Sequence, residues 1–107
     1  MCEGPEVVSA RHQQARLRAF WQTHPRAETP LRAWHQVAST AEWRSVEDVR
    51  RTYPHADAVG RLTVFNLGGN AFRLITRIEY RRQEVYIPAV LTHAEYDTEA
   101  WKRDPWF

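Results

Sequence analysis

The spacing of apolar positions changes at Gly60. Before it they recur every three or four residues, and after it every second residue. Val7 and Val8 are expected to form a short first strand. Ser9 then reads as the N-cap of a helix from Ala10 to Gln22, with Ala15, Leu17, Phe20 and Trp21 as its apolar stripe. His24-Pro25 ends that helix, because the residue before a proline is pushed out of the helical region. Thr29 and Pro30 read as the N-cap and first position of a second helix, whose buried stripe is Leu31, Trp34, Val37 and Ala38. Ser45 and Asp48, three residues apart, resemble a capping box. They open a short third helix carrying Val46, Val49 and Tyr53, which Pro54 closes.

Beyond Gly60, Leu62 to Phe65 reads as a strand, and Leu67-Gly68-Gly69-Asn70 as a tight turn whose glycines permit positive φ. The next strand, Phe72 to Tyr80, alternates. Phe72, Leu74, Thr76, Ile78 and Tyr80 share one face; Arg73, Ile75, Arg77 and Glu79 share the other. Arg73 is thus expected on the face opposite the core, with an exposed side chain. A turn at Arg81 to Gln83 leads to a strand from Val85 to Leu91, with Val85, Ile87, Ala89 and Leu91 on one face. The fold class is α+β: N-terminal helices packed on one face of a twisted antiparallel sheet of three to four strands, with a short C-terminal helix. No internal repeat is present.

A length of 107 residues suits one domain, spanning 1–107, with one core. The hydrophobic fraction of 43% and charged fraction of 26% are those of an ordinary globular chain and exclude a disordered one. No apolar run approaches the roughly 18 residues that span a bilayer. The opening MCEGPEVV lacks the basic and apolar regions of a signal peptide. Cys2 is the single cysteine, so no internal disulfide forms and a reducing cytoplasm is the expected setting. The net charge of +2 says little about partners, but its distribution says more. Between Gly60 and Thr92, Arg61, Arg73, Arg77, Arg81 and Arg82 face only Glu79 and Glu84. Every basic residue except Lys102 is an arginine, the side chain that binds phosphate in bidentate fashion. A GC-rich genome would produce the same preference.

His12, His24, His35, His55 and His93 show no paired zinc-site spacing and no neighbouring cysteines. Gly68-Gly69 lacks the Lys-Ser/Thr of a phosphate-binding loop, and no Gly-x-Ser-x-Gly elbow occurs. Neither metal nor nucleotide cofactor is expected. What remains is a basic sheet face followed by Thr92-His93-Ala94-Glu95-Tyr96-Asp97. A metal-free ribonuclease needs a group to take the 2′-hydroxyl proton, another to protonate the leaving 5′-oxygen, and a cation on the phosphate. Arg73 and Arg77 could supply the cation, and His93 or Tyr96 the proton transfers. Plainer readings stand beside these: solvated arginines, a His93 that caps the last helix, a Tyr96 that packs on the sheet. Trp34, Trp43 and Trp101 read as packing residues. Asp97 reads as a carboxylate favouring the last helix's N-terminal turn.

The stretch Val64-Phe65-Asn66-Leu67-Gly68-Gly69-Asn70-Ala71-Phe72-Arg73-Leu74-Ile75 resembles the central motif of HigB-type toxins, in the RelE/ParE superfamily. Val85-Tyr86-Ile87 and Leu91 to Asp97 are similar to that family's closing motif. Phe20-Trp21, Pro30 to Trp34 and Ser45 to Val49 resemble its helical half. The resemblance implies a toxin of a type II toxin–antitoxin system: a ribosome-dependent, metal-independent mRNA endonuclease working through 2′-hydroxyl attack. It also implies neutralisation by a HigA-like helix-turn-helix antitoxin, with operator DNA bound only through that partner. Arg73 matches the strand arginine on the scissile phosphate, and His93 and Tyr96 fall on the closing motif, giving a catalytic set of three. Asn66 and Asn70 fall on the hairpin motif and, with Arg61, Arg77 and Lys102, form the expected RNA-binding set.

Two departures lower the local positive charge. Ala71 and Pro88 stand where relatives often carry basic residues. Pro88 also lacks a backbone donor, which suggests an edge strand or a bulge. Two other functions fit the resemblance: a weak or inactive toxin fold kept for antitoxin binding and operon repression, and a gyrase inhibitor of the ParE branch. Arg77 or Arg61 are the candidates to compensate for the missing charges.

Overall fold

The computed structural model describes residues 14–103. The expected strand at Val7 and Val8, the cap at Ser9 and the helical start at Ala10 lie outside those residues. Helix α1 covers Gln14–Thr23 and buries Leu17 and Trp21. It stops at His24-Pro25, as the proline requires. A single 3-10 turn, Pro25–Ala27, then runs directly into α2, Glu28–Thr40. Thr29 and Pro30 are therefore the second and third residues of α2, not its cap and first residue. Pro30 is tolerated there because the N–H groups of a first turn have no intrahelical acceptor.

Helix α3, Val46–Thr52, starts after Ser45, but the serine side chain makes no capping bond. The Asp48 carboxylate instead accepts from the backbone N–H of Arg44 at 3.0 Å, and Arg51 Nη1 lies 3.2 Å from it. That backbone hydrogen bond is the main reason the Asp48 carboxyl is held below the usual range; burial opposes it, and Arg44 and Arg51 add to it.

Among the described residues the sheet is an antiparallel meander of four strands in the order β1-β2-β3-β4. They cover Asp57–Val59, Leu62–Leu67, Phe72–Glu79 and Glu84–Thr92. The first of these has no counterpart in the sequence reading, since three residues are too few to show alternation. In the central hairpin, Phe65 pairs with Leu74 and Asn66 with Arg73. Between β3 and β4 the register slips: Ile75 faces Ala89 and Arg77 faces Tyr86, leaving Ile87 and Pro88 opposite Thr76 alone. This is a bulge. The extra residue reverses the alternation of β4. Val85 and Ile87 pack toward the helices, whereas Ala89 and Leu91 pack on the other face. The sequence reading had placed all four together. Among the described residues Pro88 thus sits both on an edge strand and in a bulge, and its carbonyl accepts from Arg16 Nη1 at 2.8 Å.

The main core lies between the helices and one sheet face. Phe65 is fully buried at its centre, with ring centroids of Trp34, Trp43 and Tyr53 at 5.5, 6.0 and 5.2 Å. The opposite face is covered as well. Leu62, Val64 and Ile75 form a second cluster with Trp101, carried by a 3-10 turn over Ala100–Arg103. The chain reaches it through α4, His93–Asp97, opened by a full capping box in which Thr92 and Glu95 exchange bonds of 3.1 and 2.9 Å. Glu95, not Asp97, serves that N-terminal turn.

The turn joining β2 to β3 has Gly68, Gly69 and Asn70 at φ of 62°, 63° and 77°. A Cβ added at Gly68 would stand 2.9 Å from Phe72 Cδ2, whereas one at Gly69 would meet nothing within 4 Å. Gly68→Ala is expected to cost about 1–3 kcal/mol, and Gly69→Ala only the backbone part, about 1 kcal/mol. Urea midpoints of the two variants measure the difference.

Candidate active site

Arg73 follows the hairpin turn and points to the sheet face opposite the helices. Strand alternation gave this direction, but the expected exposure is wrong. The residue is only 7% exposed, because the chain after β4 folds back across that face. Its Nη1 donates to the Asn70 carbonyl at 2.9 Å and lies 3.4 Å from that of Phe72. Nη2 is 2.8 Å from His93 Nδ1, and the guanidinium carbon is 5.4 Å from the centroid of the Tyr96 ring. The hairpin and α4 are also joined through the main chain, where His93 N–H donates to Ala71 O at 2.8 Å.

This contact fixes the histidine tautomer. A guanidinium only donates, so His93 Nδ1 accepts and the ring proton sits on Nε2. Nε2 in turn lies 2.9 Å from Asp97 Oδ2. Tyr96 is held by different means. Its ring stacks on Trp101 at 5.0 Å and 18°, and Trp101 Nε1 donates to the Tyr96 carbonyl at 3.0 Å. Burial pushes the Tyr96 hydroxyl above the usual phenol range; the Asp57 carboxylate adds to this and Arg73 opposes it. Tyr96 therefore keeps its proton at neutral pH and is a donor.

Arg73, Tyr96 and Asn66 line a cleft of about 540 Å³, together with Arg50, His55 and Asp57. Arg50 is oriented there by Nε, which donates to Ala56 O at 3.1 Å. Of the residues expected from sequence, Asn66, Arg73 and Tyr96 meet in this cleft and His93 joins them through Arg73. Asn70 contributes its backbone carbonyl. Arg61, Arg77 and Lys102 do not line it. Arg77 pairs with Glu79 at 3.0 Å and lies over Tyr86, Lys102 stands 3.4 Å from Glu99, and Arg61 is exposed in the turn before β2. Arg50, His55 and Asp57 were not anticipated, for a physical reason. A basic residue in the last turn of a helix is what the helix dipole favours anyway, so Arg50 carries no mark of function in the sequence. Among the described residues, no group of three or more His, Cys, Asp or Glu is placed to hold a metal ion. None of their helices is long and apolar enough to cross a membrane.

Residues 27–99 match the family model of the HigB toxin, described as the RelE-like toxic component of a toxin-antitoxin system. That span contains α2, α3, the whole sheet and α4. The chain is 30% identical over 87 residues to the mRNA interferase toxin HigB of Escherichia coli (strain K12), covering 78% of this chain and 84% of that protein. The mRNA interferase HigB of Shigella flexneri matches to the same extent. That of Escherichia coli O6:H1 is 25% identical over 77 residues, 69% of this chain and 75% of its own. An antiparallel sheet with helices before it, a short helix after it, and this agreement over most of the length lead to one assignment: the chain belongs to the HigB family of RelE-like toxins.

Proposed function

We propose that this chain is the toxin of a type II toxin–antitoxin pair and an endonuclease that cuts messenger RNA on the ribosome, in the cytoplasm. Its antitoxin would be a HigA-like helix-turn-helix protein, through which alone the pair meets operator DNA. The mRNA interferase names of its relatives support the reaction class. The observation that carries the reading is Arg73 in the cleft, flanked by the Tyr96 ring and His93 Nδ1. A cleft of about 540 Å³ has the size of a small-ligand site. It suits a nucleotide presented by another surface better than a folded RNA, in keeping with ribosome dependence.

In the reaction proposed, the scissile phosphate takes over the Nη2 donor of Arg73, which frees Nδ1 of His93. Nδ1 accepts the proton of the 2′-hydroxyl as the 2′-oxygen bonds to phosphorus and the P–O5′ bond breaks. Tyr96 gives its proton to the leaving 5′-oxygen, an alkoxide far more basic than a phenolate, and the proton that His93 took is returned to it through water. Arg73 stabilises the charge that builds on the phosphoryl oxygens, and Arg50 supplies a second cation in the cleft. Arg77 is tied to Glu79, so Arg50 is the better replacement for the charges missing at Ala71 and Pro88.

The test is a defined message incubated with the purified chain, with and without translating ribosomes. Cuts should fall within translated codons only when ribosomes are present, leaving 2′,3′-cyclic phosphate and 5′-hydroxyl ends. A 5′-phosphate product, or equal cutting of free RNA, overturns the mechanism or the ribosome requirement respectively. Growth arrest with a DNA-damage response and intact transcripts would mark a gyrase inhibitor, and absence of arrest a domain kept for antitoxin binding. Tyr96→Phe is expected to lower kcat by about 10²-fold. Its melting temperature should stay close to wild type, because neither the stacking on Trp101 nor the bond to the Tyr96 carbonyl involves the hydroxyl.

A further inference from the structure

We infer that Asp97 is a positioning residue of this site: it accepts the Nε2 proton of His93 and thereby holds the Nδ1 lone pair toward Arg73 and the cleft. The inference rests on the endonuclease reading and extends it to a residue that touches no substrate. Asp97 is four residues after His93, so α4 brings the two side chains together on one face. The capping box of that helix is completed by Glu95 and does not draw on this carboxylate.

The chain of contacts runs in one direction. Arg73 Nη2 lies 2.8 Å from His93 Nδ1, and His93 Nε2 lies 2.9 Å from Asp97 Oδ2. Each contact demands the same tautomer. A proton on Nδ1 would face a guanidinium that can only donate, and it would leave the bare Nε2 lone pair against a carboxylate. Arg73 leaves the ring when it turns to phosphate, and Asp97 is then the one partner still fixing the proton on Nε2. A carboxylate that orients a catalytic imidazole and fixes its tautomer is a general device of proton-transfer sites. Here the pair is half-exposed, at 47% and 59% for the two side chains, so water partly replaces a missing carboxylate. The expected effect is correspondingly moderate.

Two variants and one spectroscopic readout test this. Asp97→Ala should lose about tenfold in kcat for ribosome-dependent cleavage with KM unchanged, whereas Asp97→Asn, which keeps an acceptor oxygen, should stay within about twofold of wild type. Both should melt close to wild type, since the side chain is exposed. Nitrogen NMR of labelled histidine in the full chain should show His93 protonated on Nε2 with Nδ1 an acceptor, and in Asp97→Ala the two nitrogens should move toward averaged values. A wild-type His93 protonated on Nδ1, or an Asp97→Ala protein that cuts at the wild-type kcat, overturns the inference. A wild-type chain that cuts no RNA would overturn the endonuclease reading instead. The ring-nitrogen signals would then still show whether Asp97 sets the tautomer.

Discussion

Arg73→Ala is expected to lower RNA cleavage by about 10²–10³-fold in kcat, the loss typical of removing one preorganised donor from a developing oxyanion. The same substitution should also destabilise the chain. Arg73 is 7% exposed and its guanidinium serves the Asn70 carbonyl, the Phe72 carbonyl and His93 Nδ1. Removing it strands these acceptors, at about 1–3 kcal/mol for each one that water cannot reach. Loss of activity alone therefore does not separate catalysis from folding. Arg73→Lys does so better, since it keeps the charge but replaces a rigid fork with a single point donor. It should remain folded by urea titration and still lose most of its kcat. An Arg73→Ala chain that is folded and cuts like wild type would remove this arginine from the mechanism.

The largest effect on stability is expected at Phe65. Phe65→Ala should cost about 3–5 kcal/mol, seen as a lower urea midpoint. Phe65 is fully buried, and three aromatic rings contact it from α2, the segment before α3, and the end of α3. Trp34, Trp43 and Tyr53 would all lose their central partner, and none can close the space without leaving its own contacts. Against a total stability of about 5–15 kcal/mol, this loss puts the domain near its threshold. A fall of less than 1 kcal/mol would show that the helices do not depend on this ring.

The helices and the central hairpin were legible because each repeats a period: Leu31, Trp34 and Ala38 at helical spacing, and Phe72, Leu74 and Arg73 in strand alternation. Alternation tells which face a residue takes but not what lies on it. Arg73 was correctly directed and wrongly judged exposed, since its partners His93 and Tyr96 lie twenty or more residues further on. Pro88 flagged a bulge, yet its effect on Ala89 and Leu91 depends on a register that only pairing with β3 sets. Thr29-Pro30 looked like a helix start because both residues favour a first turn, but the 3-10 turn at Pro25 had already begun the helical path. The motif side of the cleft, Asn66, Arg73 and Tyr96, could be read from the chain. Its other wall could not, because Arg50, His55 and Asp57 come from a helix end, the turn after it and a three-residue strand that only the fold brings near.

The irregular end of the sheet bears on how copies of this chain meet one another. An open strand edge presents free donors and acceptors, and a flat one recruits strands from other molecules into ribbons. With nine residues, β4 is long enough to do so. Pro88 withdraws a donor from that edge, the bulge twists it, and Arg16 occupies the proline carbonyl. The opposite edge, β1, offers three residues, too few for a lasting pairing. Among the described residues, both rims of the sheet are thus poor templates for a further strand, which disfavours edge-to-edge stacking of copies of this chain.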